Sequence, residues 1–149
     1  MIALLQRVSE ARVDVDGHTV GAIGRGILAL IGVEAGDTVS SAERLAERML
    51  TYRIFPDNQG KMNLDIGEIG GDLLIVPQFT LAADTSKGNR PGFQTAAPPD
   101  AAQVLFETLL ARARTLHGRV ETGVFGASMQ VSLVNDGPVT FSLRVPSTI

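Results

Sequence analysis

Ile27 to Val33 reads Ile-Leu-Ala-Leu-Ile-Gly-Val and offers no polar side chain to water. A strand of that composition has to be covered on both faces. Leu73-Leu74-Ile75-Val76 makes the same demand; Gly70-Gly71 introduces it and Pro77 closes it. Two helical patterns can supply cover. Asp37 or Ser40 is placed to cap a helix running to about Tyr52. Its apolar stripe is Leu45, Met49 and Tyr52, and Glu43, Arg44, Glu47 and Arg48 form its polar face. Pro98-Pro99-Asp100 opens a second helix, to about His117, with Val104, Leu105, Thr108, Leu109 and Leu116 as its buried stripe. Gly118 fits a C′ position, and Arg112, Arg114 and His117 suit the negative end of the helix dipole.

The remaining segments are strand-like. Ile2 to Val8 and Ala11 to Val15 precede an Asp16-Gly17 hairpin turn and a short strand, Val20 to Ile23. Val120 to Val124 and Gln130 to Val134 are joined through Phe125 to Met129. Val139 to Val145 closes the set, after the interruption Asn135-Asp136-Gly137-Pro138. Seven or eight strands, several joined by short turns, and two helices give an α+β fold with mostly antiparallel or mixed sheets. All 149 residues fit one domain.

Composition removes several kinds of chemistry. With no cysteine there is no disulfide, thiolate nucleophile or Cys-ligated zinc. Two histidines argue against a His-rich metal site. A net charge of −3 has the wrong sign for gripping long nucleic acid, although Lys87 and Arg90 form a local basic pair. No apolar run reaches the ~20 residues of a membrane span, and the N-terminus reads as a strand rather than a signal peptide. These features fit a cytoplasmic protein.

The usual catalytic motifs are missing as well. The sequence contains no G-x-S-x-G elbow, phosphate-binding loop or dinucleotide fingerprint. His18 sits beside a turn and His117 at a helix end, positions that do not call for catalysis. What remains is Pro77 to Leu81, Phe125 to Met129 and Asn135 to Thr140. The first opens a stretch without periodicity that runs to Thr95, and such segments are often functional. A strand ending in Gln78-Phe79-Thr80 can aim successive amides at one oxygen; ordinary strand-end capping is the alternative. Phe79, Phe125 and Met129 suit either a pocket wall or core packing. About 5–6% of X-Pro bonds in folded proteins are cis, so residue types alone give a trans Gly137-Pro138 bond.

Seven stretches in order resemble the D-aminoacyl-tRNA deacylase (D-tyrosyl-tRNA deacylase) family. They are Arg7-Val8 with Ala11-Arg-Val, Arg53-Ile-Phe, Gly60-Lys-Met-Asn, Pro77-Gln-Phe-Thr-Leu, Gly88-Asn-Arg-Pro, Thr122-Gly-Val-Phe-Gly-Ala and Asn135-Asp-Gly-Pro-Val-Thr. One departure is Pro77, where the family usually has serine. The substitution removes a hydroxyl and a backbone N–H.

The resemblance implies a homodimeric esterase that releases D-amino acids, or glycine, from the 3′-terminal adenosine of tRNA. It implies no cofactor, metal, DNA or membrane partner. It places Gln78, Phe79 and Thr80 at the catalytic centre. A cis Gly137-Pro138 turn from the other subunit would exclude L-aminoacyl groups, with Asn135 beside it and Arg7 bracing it. Phe125 and Met129 would contact the substrate. Attack by water with help from the ribose 2′-OH, or by Thr80 itself, are the two routes left open.

Overall fold

The computed structural model describes residues 1–147. β1 (Ile2–Val15) pairs antiparallel with β2 (His18–Ile23) through its second half and with β3 (Gly26–Gly32) through its first. α1 (Val39–Thr51), the small ladder β4 (Phe55–Pro56) and β5 (Met62–Leu64), and β6 (Asp72–Pro77) follow. After a 3₁₀ turn (Phe79–Ala82) come α2 (Pro99–Leu116), β7 (Val120–Thr122) and β8 (Gln130–Arg144). β3 and β6 pair in parallel, as do β6 and β7, and β8 runs antiparallel along the whole of β1. The sheet is therefore mixed, ordered β2-β1-β3-β6-β7 with β8 on β1.

The apolar runs sit as their composition requires. In β6, Leu73 and Ile75 enter the large core beneath the helices, while Leu74 and Val76 enter a smaller core with Val8, Ala11, Val13, Ile23 and Leu28. That second core lies inside the curl of the sheet, which is nearly closed into a barrel. Gly21 on β2 brings the two walls together: a Cβ there would stand 2.8 Å from the Thr122 carbonyl oxygen. Only glycine permits that approach.

Several sequence expectations change. β1 is one strand of 14 residues, not two. Its register against β8 shifts between Gln6 and Glu10, so Ala3 and Leu5 serve the large core while Val8, Ala11 and Val13 serve the small one. β8 likewise continues through Asn135 to Thr140 without ending. The N-cap of α1 is Thr38, in a reciprocal capping box with Ser41. Asp37 is occupied otherwise, accepting from the Glu34 amide at 2.6 Å and the Met1 amino group at 2.8 Å. α2 buries Ala102, Leu105, Phe106, Leu109 and Ala113, whereas Val104 and Leu116 are exposed. Its small alanines let the helix lie close to its neighbours, and they turn the stripe away from those two larger residues. Gly118 takes no left-handed conformation, because His117 at the C-cap is already extended and the chain runs straight into β7. Gln78 to Thr80 are not a strand end: β6 stops at Pro77 and the chain coils at once into the 3₁₀ turn.

Candidate active site

The end of β6, the 3₁₀ turn, the first residues of α2 and the Phe125–Met129 loop enclose a cavity of about 440 Å³. Val76, Pro77, Gln78 and Phe79 form one wall, Ala97, Pro99 and Ala102 another, and Phe125, Gly126, Ala127, Met129 and Val131 the third. None of these residues is ionisable. Two glycines make the geometry possible. A Cβ on Gly32 would stand 2.8 Å from Leu81 Cβ, so its absence lets the 3₁₀ turn settle on the end of β3. A Cβ on Gly123 would meet Met129 Sδ at 2.8 Å.

The Gln78 amide is not free, since it donates to the Ile31 carbonyl at 2.7 Å. The amides of Phe79 and Thr80, at the head of the 3₁₀ turn, have no acceptor among the described residues. Unsatisfied amides at such a turn are ready donors for an external oxygen. The Gln78 side-chain amide donates to the Thr80 hydroxyl. An amide donor cannot take a proton from that hydroxyl, so Thr80 lacks a base in this arrangement. Phe79 is 62% exposed and tilts against Phe93, with ring centroids 5.3 Å apart. Phe125 is half-buried against Phe106 at 6.0 Å, and Met129 is also half-buried. Both reach the cavity as well as the core.

Pro77 is accommodated locally. Leu73 donates to the Arg119 carbonyl, and the two-residue repeat of a parallel ladder brings position 77 opposite the Gly123 carbonyl. That carbonyl accepts from the Thr122 hydroxyl at 2.9 Å, so the missing proline N–H orphans no acceptor.

Arg7, Asn135, Gly137 and Pro138 form a separate cluster, and none of them lines this cavity. The Asn135 side chain folds the turn around itself. Its Oδ1 accepts from the Val139 amide at 2.8 Å, and its Nδ2 donates to the Val139 carbonyl and the Thr140 hydroxyl, each at 3.2 Å. Arg7 donates to the Asp136 carbonyl and to the Ile54 carbonyl, both at 2.9 Å. It therefore braces the turn within its own chain. The Gly137-Pro138 peptide is cis, and both residues are exposed. Sequence reasoning missed Gly32, Gly123, Pro99, Ala102 and Val131. Gly32, Pro99, Gly123 and Val131 lay inside stretches already named, but none was read there as part of a site. Among the described residues, no group of three or more His, Cys, Asp or Glu side chains is placed to hold a metal ion.

The family model described as D-Tyr-tRNA(Tyr) deacylase matches residues 4–144. A protein of Thioalkalivibrio sulfidiphilus called D-aminoacyl-tRNA deacylase is 64% identical over 146 residues, covering 98% of each chain. Another of that name, from Azoarcus sp., is 59% identical and covers 98% of this chain and 97% of its own. Among solved structures, the c-Myc DNA Unwinding Element Binding Protein superposes with a TM-score of 0.94 at 38% identity, covering 98% of this chain and 99% of its own. A probable eukaryotic D-amino acid tRNA deacylase superposes at 0.80 with 19% identity, covering 95% of this chain and 98% of its own, and so bears on the fold alone.

Proposed function

The chain belongs to the D-Tyr-tRNA(Tyr) deacylase family, and from that premise we propose how its cavity and its turn divide the work of a D-aminoacyl-tRNA deacylase. The enzyme hydrolyses the ester between a D-amino acid and the terminal adenosine of tRNA, as one domain, in the cytoplasm where that substrate is made. Glycine, which has no side chain to exclude, is released from glycyl-tRNA by the same route.

The single observation that carries the mechanism is a cavity with no ionisable side chain in its walls, lined by Gln78 and Phe79 where the 3₁₀ turn begins; Thr80 follows on that turn, outside the lining. The ester carbonyl oxygen sits on the Phe79 and Thr80 amides, which stabilise the charge that develops when the carbonyl is attacked. Water is the nucleophile, and the neighbouring ribose 2′-OH relays its proton. Gln78 holds the Thr80 hydroxyl and so fixes the turn that presents both amides. Phe79, Phe125 and Met129 contact the substrate.

Selection comes from the turn at Gly137-Pro138 of a second subunit. β8 starts at the cavity, near Val131, and reaches the turn about seven residues and ~20 Å later. Val131 and Val134 between them are exposed and apolar. Two copies paired about a two-fold axis through this stretch would carry each turn to the other's cavity. There the turn's carbonyls would crowd the position of an L side chain while leaving the D side open. A pocket that selects by exclusion can accept many D side chains.

Purified protein incubated with D-Tyr-tRNA and with L-Tyr-tRNA tests this reading. Rapid release of D-tyrosine, with L-tyrosine released only at its spontaneous rate, is expected. Equal release of both, or of neither, would refute it.

A further inference from the structure

The segment from Thr85 to Pro99 carries Lys87 and Arg90 but no aspartate or glutamate, within a chain of net charge −3. Its base is built rather than slack. Asp84 and Gly92 exchange backbone hydrogen bonds at 2.7 and 3.0 Å. The Asp84 carboxylate accepts from the Ser86 amide at 2.9 Å and from the Gln94 side chain at 3.2 Å. The Thr95 hydroxyl donates to the Ala82 carbonyl at 2.6 Å. Gly88, at φ +66°, turns the tip back on itself.

Lys87 and Arg90 stand exposed on this anchored loop without an acidic partner among the described residues. Arg7, Arg12, Arg112, Arg119 and Arg144 are paired with carboxylates, whereas Arg25, Arg44, Arg48, Arg53, Lys61 and Arg114 have no such partner among the described residues, so what distinguishes Lys87 and Arg90 is their place on a loop joined to the cavity. Just beyond the tip, Phe93 lies against Phe79 at the cavity rim, and Ala97 and Pro99 form a cavity wall. One short segment therefore joins two free cations to the pocket.

We propose that Lys87 and Arg90 hold the phosphodiester backbone of the single-stranded RNA next to the nucleotide in the cavity. This rests on the functional reading above and extends it: the enzyme touches the acceptor strand through one loop and about two phosphates. The remaining acidic surface stays clear of the tRNA. The two side chains would add to substrate capture and leave the chemical step alone.

The test is the double variant Lys87→Ser/Arg90→Ser, assayed on D-Tyr-tRNA and on the D-tyrosyl ester of adenosine, which lacks the upstream phosphates. A loss of roughly tenfold in kcat/KM on the tRNA substrate is expected, carried by KM. The nucleoside ester should show no change, and Lys87→Arg/Arg90→Lys should restore activity on tRNA. Equal losses on both substrates would overturn the proposal, as would no loss on either. A labelled RNA oligonucleotide ending in CCA gives a reading independent of catalysis. Its log Kd against log salt should flatten by about 1.4 in the double variant, from ~0.7 per phosphate on a single strand. An unchanged slope would overturn the proposal even if the parent hydrolysed its substrate well. An inactive parent with the expected change in slope would remove the deacylase reading and leave the RNA contact standing.

Discussion

Thr80 is the residue on which the two chemical routes part. Its hydroxyl accepts from Gln78, which cannot act as a base, and its backbone amide is free to hold an oxyanion. Thr80→Ala keeps that amide, so it should lower kcat/KM by no more than about tenfold, whereas losing a covalent nucleophile costs on the order of 10⁴ or more. A fall to background in the variant, together with acyl-threonine trapped in the parent, would move the mechanism to Thr80. The same cavity predicts a pH–rate profile without a bell. With no ionisable wall residue, log kcat/KM should show no inflection from a protein group between about pH 5 and 9. Gly123→Ala would push its Cβ towards Met129 Sδ, 2.8 Å away, and Val76 Cγ1, 3.5 Å away. A stability loss of about 1–3 kcal/mol is expected in urea unfolding. KM should rise as Met129 shifts into the cavity. Neither close approach could be read from the sequence, because Gly32 and Gly123 meet atoms that only tertiary packing brings to them. Asp16-Gly17 was legible because its positive φ angles, 50° and 78°, are a local demand.

At the level of elements, the doubly buried strands were plain in the sequence, since no arrangement leaves Ile27 to Val33 in water. The unity of β1 was not. Its face changes where its register against β8 slips, and that depends on a partner some 130 residues away in sequence. The α2 stripe was misread for a related reason: alanines at 102 and 113 matter through what packs on them, and period alone favours the larger Val104 and Leu116. The turn within β8 was legible as an interruption, but not as one with pairing to β1 on both sides of it, Asn135 opposite Val8 and Thr140 opposite Gln6. Asn135 achieves that by closing the turn with its own side chain, so Asn135→Ala should cost about 1–3 kcal/mol in unfolding experiments.

Two loops carry a pH dependence. Hydrogen bonds from Asn63 and from the Lys61 and Gln59 amides hold the Asp57 carboxyl below its ordinary value, and those from Ser86 do the same for Asp84. A carboxylate lowered on folding stabilises above its unfolded pKa and loses that contribution as pH falls. Urea midpoints should therefore be flat from about pH 6 to 8 and decline below about 4. Asp57→Asn should shrink the decline. A midpoint that rises on acidification would contradict the assignment.

For the whole molecule, the separation of the two clusters matters most. The cavity and the Asn135–Pro138 turn lie at opposite ends of one stretch of β8, and no residue of the turn lines the cavity of its own chain. The sequence alone gave no means to see this. The joint role proposed for them rests on the family resemblance, and their separation along β8 is what the proposal of a second subunit has to bridge. No helix among the described residues is long and apolar enough to cross a membrane.

Cross-subunit selection can be measured by mixing two variants that fail differently. Asn135→Ala loosens the turn and leaves the cavity open, so alone it should hydrolyse both D-Tyr-tRNA and L-Tyr-tRNA. Ala127→Trp fills the cavity and leaves the turn intact, so alone it should hydrolyse neither. After subunit exchange with an excess of Ala127→Trp, each open cavity faces an intact turn. Hydrolysis of L-Tyr-tRNA should then disappear while hydrolysis of D-Tyr-tRNA persists. L-Tyr-tRNA hydrolysis that continues undiminished after exchange would show that the turn acts within its own chain, or not at all.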